Sequence, residues 1–291
     1  MNGQTRARAS TVDSHQHFWR LSRGDYDWLK PELTELYRDY EPAHLAPLLA
    51  ETGVAHTILV QAAATVDETR FLLSLAQQHE FIAGVVGWID CEEPSSAALL
   101  DDLCRDTKFV GVRPMVQDIA DPAWLLRPTL TPVIAALIEH DLVFDALVKP
   151  HHLRTLLEFC NRHPQLTVVL DHAAKPDIAR GSLEPWATDL QDIARNTNAR
   201  CKLSGWVTEA GNTDAAALKP YVAHVLEVFG PQRIMWGSDW PVCEAICGYR
   251  EWFDLSEAML RGLAPADRDA IFGGAAIDTY RIDPYRRTNV A

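Results

Sequence analysis

Three stretches of this chain put imidazole or carboxylate groups where apolar runs end. His15 and His17 stand two residues apart in VDSHQHFW, His172 closes VVLDH, and Asp239 follows the apolar run in RIMWGSDWP. Neutral imidazoles bind a divalent metal ion or polarise an oxygen directly. A carboxylate beside them can take a proton from water as a general base. Each feature alone has a plainer reading. The histidine pair could be satisfied surface residues, His172 a hydrogen-bonded strand end, and Asp239 a cap on a following helix.

Other residues extend the set. Arg113 ends a run in GVR, and its planar fork of donors can clamp a carbonyl or carboxylate. Asp145 sits inside the apolar VFDAL, where a carboxylate needs a partner or a task. Lys175 follows His172 and precedes Pro176. Trp88 and Trp206 lie near strand tips, and Tyr26 and Trp28 lie in a polar-aromatic stretch. Aromatic faces suit the C–H side of a sugar ring, although core packing explains many tryptophans equally well. Trp236, out of phase with Asp239, reads as core.

These side chains need a scaffold that brings them together. Short apolar, β-branched runs at 11–17, 54–61, 81–89, 109–116, 142–148, 166–172, 199–206 and 233–239 alternate with amphipathic runs such as 67–79, 151–163 and 214–229. Eight strand–helix repeats predict parallel βαβ units closing into a (β/α)8 TIM-type barrel, an α/β fold of one domain spanning 1–291. An open doubly wound sheet is the competing architecture, but no glycine-rich turn follows the first strand. Barrel enzymes work at the C-terminal ends of their strands. His15, His17, Arg113, Asp145, His172 and Asp239 all fall at or near those ends, and alternation puts Asp13 on the face of His15 and His17. Together they predict a catalytic site. The 18–41 stretch is a long loop able to cover the pocket as a lid. The polar tail of 281–291 is expected on the surface.

Composition narrows the partners. The chain has 291 residues, 47% hydrophobic and 23% charged, with 27 Lys and Arg against 40 Asp and Glu for a net charge of −13. That field repels nucleic acid and anionic membranes, and Arg286 and Arg287 are the nearest approach to a basic run. No apolar run spans a bilayer and no leader pattern opens the chain, so a cytoplasmic setting with free thiols is expected. Of the six cysteines, Cys243 and Cys247 form a CxxxC spacing that reads as buried thiols ahead of a metal site.

The set resembles the amidohydrolase superfamily, whose hallmarks are HxH on strand one, His on strand six and Asp on strand eight. DSHQHFW, the GVR of strand four, LDHAAKP, WGSDWP and the closing FGGAAIDTYR look like its sugar-lactonase branch, and the likeness covers essentially the whole chain. That resemblance implies hydrolysis of an L-fucono- or L-rhamnono-lactone-like aldonolactone. Metal-dependent relatives carry a His near the end of strand five and often a bridging Lys or Glu on strand four. Here Asp145 and Arg113 stand there, and His151 and His152 lie beyond Pro150, which argues against two metals. The branch includes enzymes that need no metal. Two states therefore stay open: one divalent cation such as zinc on His15, His17 and Asp239 with His172 nearby, or none.

The implied mechanism has Asp239 as general base, the three histidines polarising the carbonyl, and Arg113, Lys175 and Asp145 orienting substrate. The partner is a small sugar lactone, and the oligomeric state is not legible. Three rivals remain. One is a metal-dependent decarboxylase of an aromatic or unsaturated acid. Another is hydrolysis of a dicarboxylated lactone, which would want several arginines at the mouth. The third is a non-catalytic sugar-binding barrel.

Overall fold

Eight parallel strands form one sheet in chain order: β1 (Val12–Gln16), β2 (His56–Val60), β3 (Ile82–Gly87), β4 (Phe109–Val112), β5 (Val143–Ala146), β6 (Thr167–Leu170), β7 (Arg200–Leu203) and β8 (Ile234–Trp236). The computed structural model describes residues 10–283. Arg286, Arg287 and most of the expected tail fall outside them. Each predicted run contains its strand, and the predicted helices appear at Val66–Gln78, Leu153–Arg162 and Ala215–Phe229. The β1–β8 seam is joined at its C-terminal end: His17 N donates to Trp240 O at 2.7 Å and Asp239 N to His15 O at 2.8 Å. The architecture is the expected (β/α)8 barrel.

The barrel interior is built in layers. Its lower part is apolar, with Val12, Ile58, Val86, Val143, Val169 and Met235 in one buried cluster. Burying each such side chain stabilises the fold by about 1.5–3 kcal/mol, and β-branched residues suit the crowded pleat. Two residues further along β5, on the same face as Val143, stands Asp145, and on β7 the partner of Met235 is Lys202. The next layer is therefore ionic, and the helices pack outside on a separate larger core.

Two local irregularities reset the alternation. The β1–β2 register shifts between Asp13 and Gln16. Val12 joins the interior cluster while His15, an odd number of residues later, also faces inward. Asp13 does not share the histidines' role. Its Oδ1 accepts from Ser238 N at 2.8 Å and His15 N at 3.1 Å, and its Oδ2 accepts from the Tyr249 hydroxyl at 3.2 Å. It ties β1 to the segment after β8.

The 18–41 segment is pinned rather than free-standing. Trp19 and Tyr40 exchange backbone hydrogen bonds at 3.0 and 2.9 Å, and their buried rings meet edge to face. All six cysteines are free thiols, with Cys243 and Cys247 buried. Among the described residues no helix is long and apolar enough to cross a membrane.

Candidate active site

A cavity of about 210 Å³ opens at the C-terminal ends of the strands, lined in part by His17, Arg113, His172, Lys175 and Asp239. A larger cavity of about 640 Å³ lies at the other end of the barrel, beside His56, Lys108 and His140. The histidines and Asp239 converge at the first. His15, His17 and His172 bring their Nε2 atoms to 3.8, 3.4 and 3.9 Å from Asp239 Oδ1. All four side chains are buried.

Each imidazole is held by its other nitrogen. His17 Nδ1 donates to Val60 O at 2.8 Å, which leaves a lone pair on Nε2 facing the carboxylate. His172 Nδ1 lies 2.9 Å from Ser204 Oγ. His15 Nδ1 lies 3.1 Å from the Lys202 ammonium. Burial lowers the pKa of all three, to about 4 for His172, and for His15 the nearby Lys202 charge lowers it further. At neutral pH they are uncharged. Burial works to raise Asp239, but the surrounding imidazoles, His172 first, outweigh it and hold the carboxyl below the usual range, so it is ionised.

Beneath this group lies the ionic layer. Lys202 Nζ reaches Asp145 Oδ2 at 2.5 Å and Asp171 Oδ1 at 3.0 Å. The Tyr280 hydroxyl donates to Asp145 Oδ1 at 2.9 Å. Lys202, Asp145 and Asp171 are fully buried. Asp145 is thus not brought to the cavity. Its partner and task are an ammonium and a phenol inside the barrel, and burial raises its pKa to about 6 against the pull of Lys202. Asp171 goes the other way: burial raises it, but Lys202 and His15 outweigh that and hold it well below the usual range.

Arg113 links this layer to the mouth. Its Nη1 lies 3.4 Å from both Asp171 Oδ2 and His15 Nε2, and its Nη2 donates to Gln61 O. Gln61 Nε2 returns a bond to Arg113 O at 2.7 Å. Lys175 lines the cavity with its ammonium 3.6 Å from Glu209 Oε1.

The backbone here is strained. His172, Ala173, Ala174 and Lys175 have φ of 52°, 49°, 61° and 55°, and Asp239 has 56°. Left-handed conformations cost side-chain-bearing residues about 1–2 kcal/mol each. The turn is held by Lys175 N to His172 O at 2.9 Å and by the Trp186 indole to Ala173 O at 2.7 Å. It lets Asp171 and His172, which a regular strand would point to opposite faces, both approach His15. Asp171 Oδ1 lies 3.3 Å from His15 Nδ1, and the His172 and His15 ring centroids are 4.5 Å apart.

The expected aromatic contacts divide. Trp28 lines the cavity, with its indole donating to Ala62 O at 2.8 Å. Tyr26 is buried behind it against Trp19, with Glu68 and Arg23 near its phenol. Trp206 is fully buried and Trp88 half-buried, and neither lines the cavity. Trp236 is core, bonded to Ser256 and packed on Tyr249 and Phe253. Reading the sequence missed Lys202, Asp171 and the cavity residue Gln117. Lys202 carried a usable signal, since a charge between Cys201 and Leu203 in a strand raises the same question as Asp145.

The donor set at the mouth suits a metal ion. His15, His17 and Asp239 each offer one ligand atom, all within 4.8 Å of one another, and the bare His17 Nε2 faces Asp239 Oδ1 at 3.4 Å. That juxtaposition of lone pairs fits one divalent cation, with His17 oriented through its far nitrogen as ligating histidines usually are. His15, Asp171 and His172 form a second compact group. Arg113 and Lys202 already put two positive charges beside His15. His151 and His152 stay on the turn Pro150–His152 and join neither group.

With this geometry in place, comparisons decide the family. The amidohydrolase family model matches residues 12–282. The chain belongs to the amidohydrolase family. An L-fucono-1,5-lactonase from Burkholderia ambifaria is 46% identical over 278 residues, covering 94% of this chain and 96% of that protein. An L-fucono-1,5-lactonase from Burkholderia multivorans is 39% identical, covering 94% and 97%. The crystal structure of a Burkholderia multivorans amidohydrolase with bound zinc superposes with a TM-score of 0.90 at 40% identity, covering 94% of this chain and all of that one.

Proposed function

We propose that this amidohydrolase opens a sugar-derived lactone to its aldonic acid, with an L-fucono-1,5-lactone-like six-membered ring as the substrate class. The observation that carries the reading is three neutral imidazoles converging within 3.9 Å of one ionised carboxylate at the barrel mouth. Two relatives named as L-fucono-1,5-lactonases, aligned over 94% of the chain, support the substrate. A cavity in which Arg113 is the one arginine among the described residues favours a neutral lactone over a dicarboxylated one.

In this reading Asp239 Oδ1 and His17 Nε2, 3.4 Å apart and both acceptors, receive the two hydrogens of the attacking water. Asp239 takes one proton as the water adds to the lactone carbonyl, then delivers it to the ring oxygen as the C–O bond breaks. Arg113, His15 and His172 stabilise the oxyanion. Pre-aimed donors of this kind lower such a barrier by about 3–4 kcal/mol each. Lys175 orients the substrate, and Trp28, from the 18–41 segment, forms part of the wall. A divalent cation, when held by His15, His17 and Asp239, would supply Lewis acidity towards the carbonyl oxygen.

The test is acid release, followed by a pH indicator, across a panel of aldonolactones. Release by the wild type and its loss in Asp239→Asn are expected. Absence of release from every lactone, with sugar binding intact, would sink the reading in favour of a binding barrel. Carbon dioxide release from aromatic acids would favour the decarboxylase.

A further inference from the structure

The proposed reaction changes the charge of its ligand. A neutral lactone and water give an aldonate anion and a proton, so the mouth must admit one species and release the other. Cations at the mouth decide how tightly the anion is kept. Two line the cavity among the described residues, Arg113 and Lys175. Arg113 is already engaged, with Nη1 3.4 Å from Asp171 Oδ2 and Nη2 donating to Gln61 O. Lys175 differs. Its ammonium carries three N–H donors and makes no hydrogen bond among the described residues; Glu209 Oε1, at 3.6 Å, is its ion-pair partner.

Both partners stand on fixed backbone. Lys175 ends the left-handed turn, its N donating to His172 O at 2.9 Å, and Glu209 N donates to Gly205 O at 3.1 Å in the helix Trp206–Ala210. Burial raises the Glu209 carboxyl pKa and Lys175 pulls it back, while the Asp239 charge also acts on it from the mouth. Each side chain keeps about a quarter of its surface exposed, 23% for Lys175 and 27% for Glu209, so a ligand reaches the ammonium. A partly exposed ion pair adds little to stability, so stability does not explain a carboxylate at this spot. What the carboxylate does is cancel the charge of Lys175. Left bare, that ammonium would hold the carboxylate of the product.

We propose that Glu209 is a specificity-determining residue, which neutralises Lys175 so that the mouth favours the neutral lactone over its anionic product. The inference rests on the lactonase reading. Lys175 can still donate to an oxygen of the lactone, because an ion pair at 3.6 Å leaves its N–H groups unfilled. Discrimination then comes from charge, which the lactone lacks and the aldonate carries.

The experiment measures one ratio, the inhibition constant of the aldonate over the KM of its parent lactone, at low ionic strength. Glu209→Gln removes the charge and keeps the shape, and thermal melts check the fold of each variant. The ratio should fall about 10-fold, within the range that unit charges at such separations exert at a protein surface, and the drop should shrink in about 0.5 M salt. Adding Lys175→Met to Glu209→Gln removes the bared ammonium and should return the ratio to within about threefold of the wild-type value, since the pair is again neutral. A ratio that Glu209→Gln leaves unmoved, or a drop that persists in the double variant or in salt, overturns the inference while leaving lactone hydrolysis standing. A wild-type enzyme that opens no lactone overturns both.

Discussion

Gly205 offers a way to separate backbone strain from displacement of the proposed catalytic group. It precedes the helix Trp206–Ala210 with φ of 70°, and Gly211 follows the same helix with φ of 69°. An alanine at either position adopts a left-handed conformation, at about 1–2 kcal/mol. For a domain of this size that lowers the melting midpoint by about 2–8 °C in both variants. Their surroundings differ. A Cβ at Gly205 would stand 2.6 Å from His172 Nδ1, 2.8 Å from its Cγ and 3.3 Å from Asp239 Oδ2, whereas at Gly211 nothing lies within 4 Å. To regain an ordinary contact of 3.4 Å the ring must retreat by about 0.8 Å, and displacements near 1 Å at a reacting centre cost about 100-fold. The assay is kcat/KM for lactone opening beside a thermal melt. Gly205→Ala should lose about 100-fold, and Gly211→Ala should stay within about twofold at a similar melting shift. If Gly205→Ala keeps activity within about threefold, or the two variants lose equally, the position of His172 does not govern lactone opening.

Asp239→Asn should reduce kcat by about 10²–10⁴, the usual span for a lost general base; an active variant would pass that role to another group. Lys202→Met leaves Asp145 and Asp171 buried without their cation and should cost about 3–5 kcal/mol of stability, read by urea unfolding. His172 gives a pH test. Its pKa is about 4 in the fold against 6.5 for an unperturbed histidine, so between those values the unfolded chain binds a proton that the native one does not. Its stabilisation is complete above pH 6.5 and falls by about 3 kcal/mol as the pH drops to 4. The stability gap between wild type and His172→Gln should shrink over that window, and a gap that widens contradicts the assigned direction. Zinc should raise the melting midpoint of the wild type but not of His17→Ala, because the cation needs the bare His17 nitrogen.

Much of this protein is local in origin. Alternating β-branched and amphipathic runs make strands and helices wherever they occur, and eight such units have few ways to close. The barrel, and the gathering of His15, His17, Arg113, His172 and Asp239 at one mouth, were therefore legible from the chain alone. Asp145 was legible as a residue needing a partner, but not which partner. Lys202 lies 57 positions away, and only the closed barrel brings them to 2.5 Å.

What the sequence by itself determined is the order of elements and the identity of the residues delivered to the strand ends. Only the tertiary structure decided which way they point. A strict period of two would put Asp13 with the histidines and turn His172 away from Asp171. The shift in β1 and the left-handed turn at 172–175 reverse both outcomes. Those distortions are unfavourable locally and persist because distant partners hold them: Ser238 and Tyr249 on Asp13, and Trp186 on Ala173. No short window of sequence contains both the strain and the contacts that sustain it.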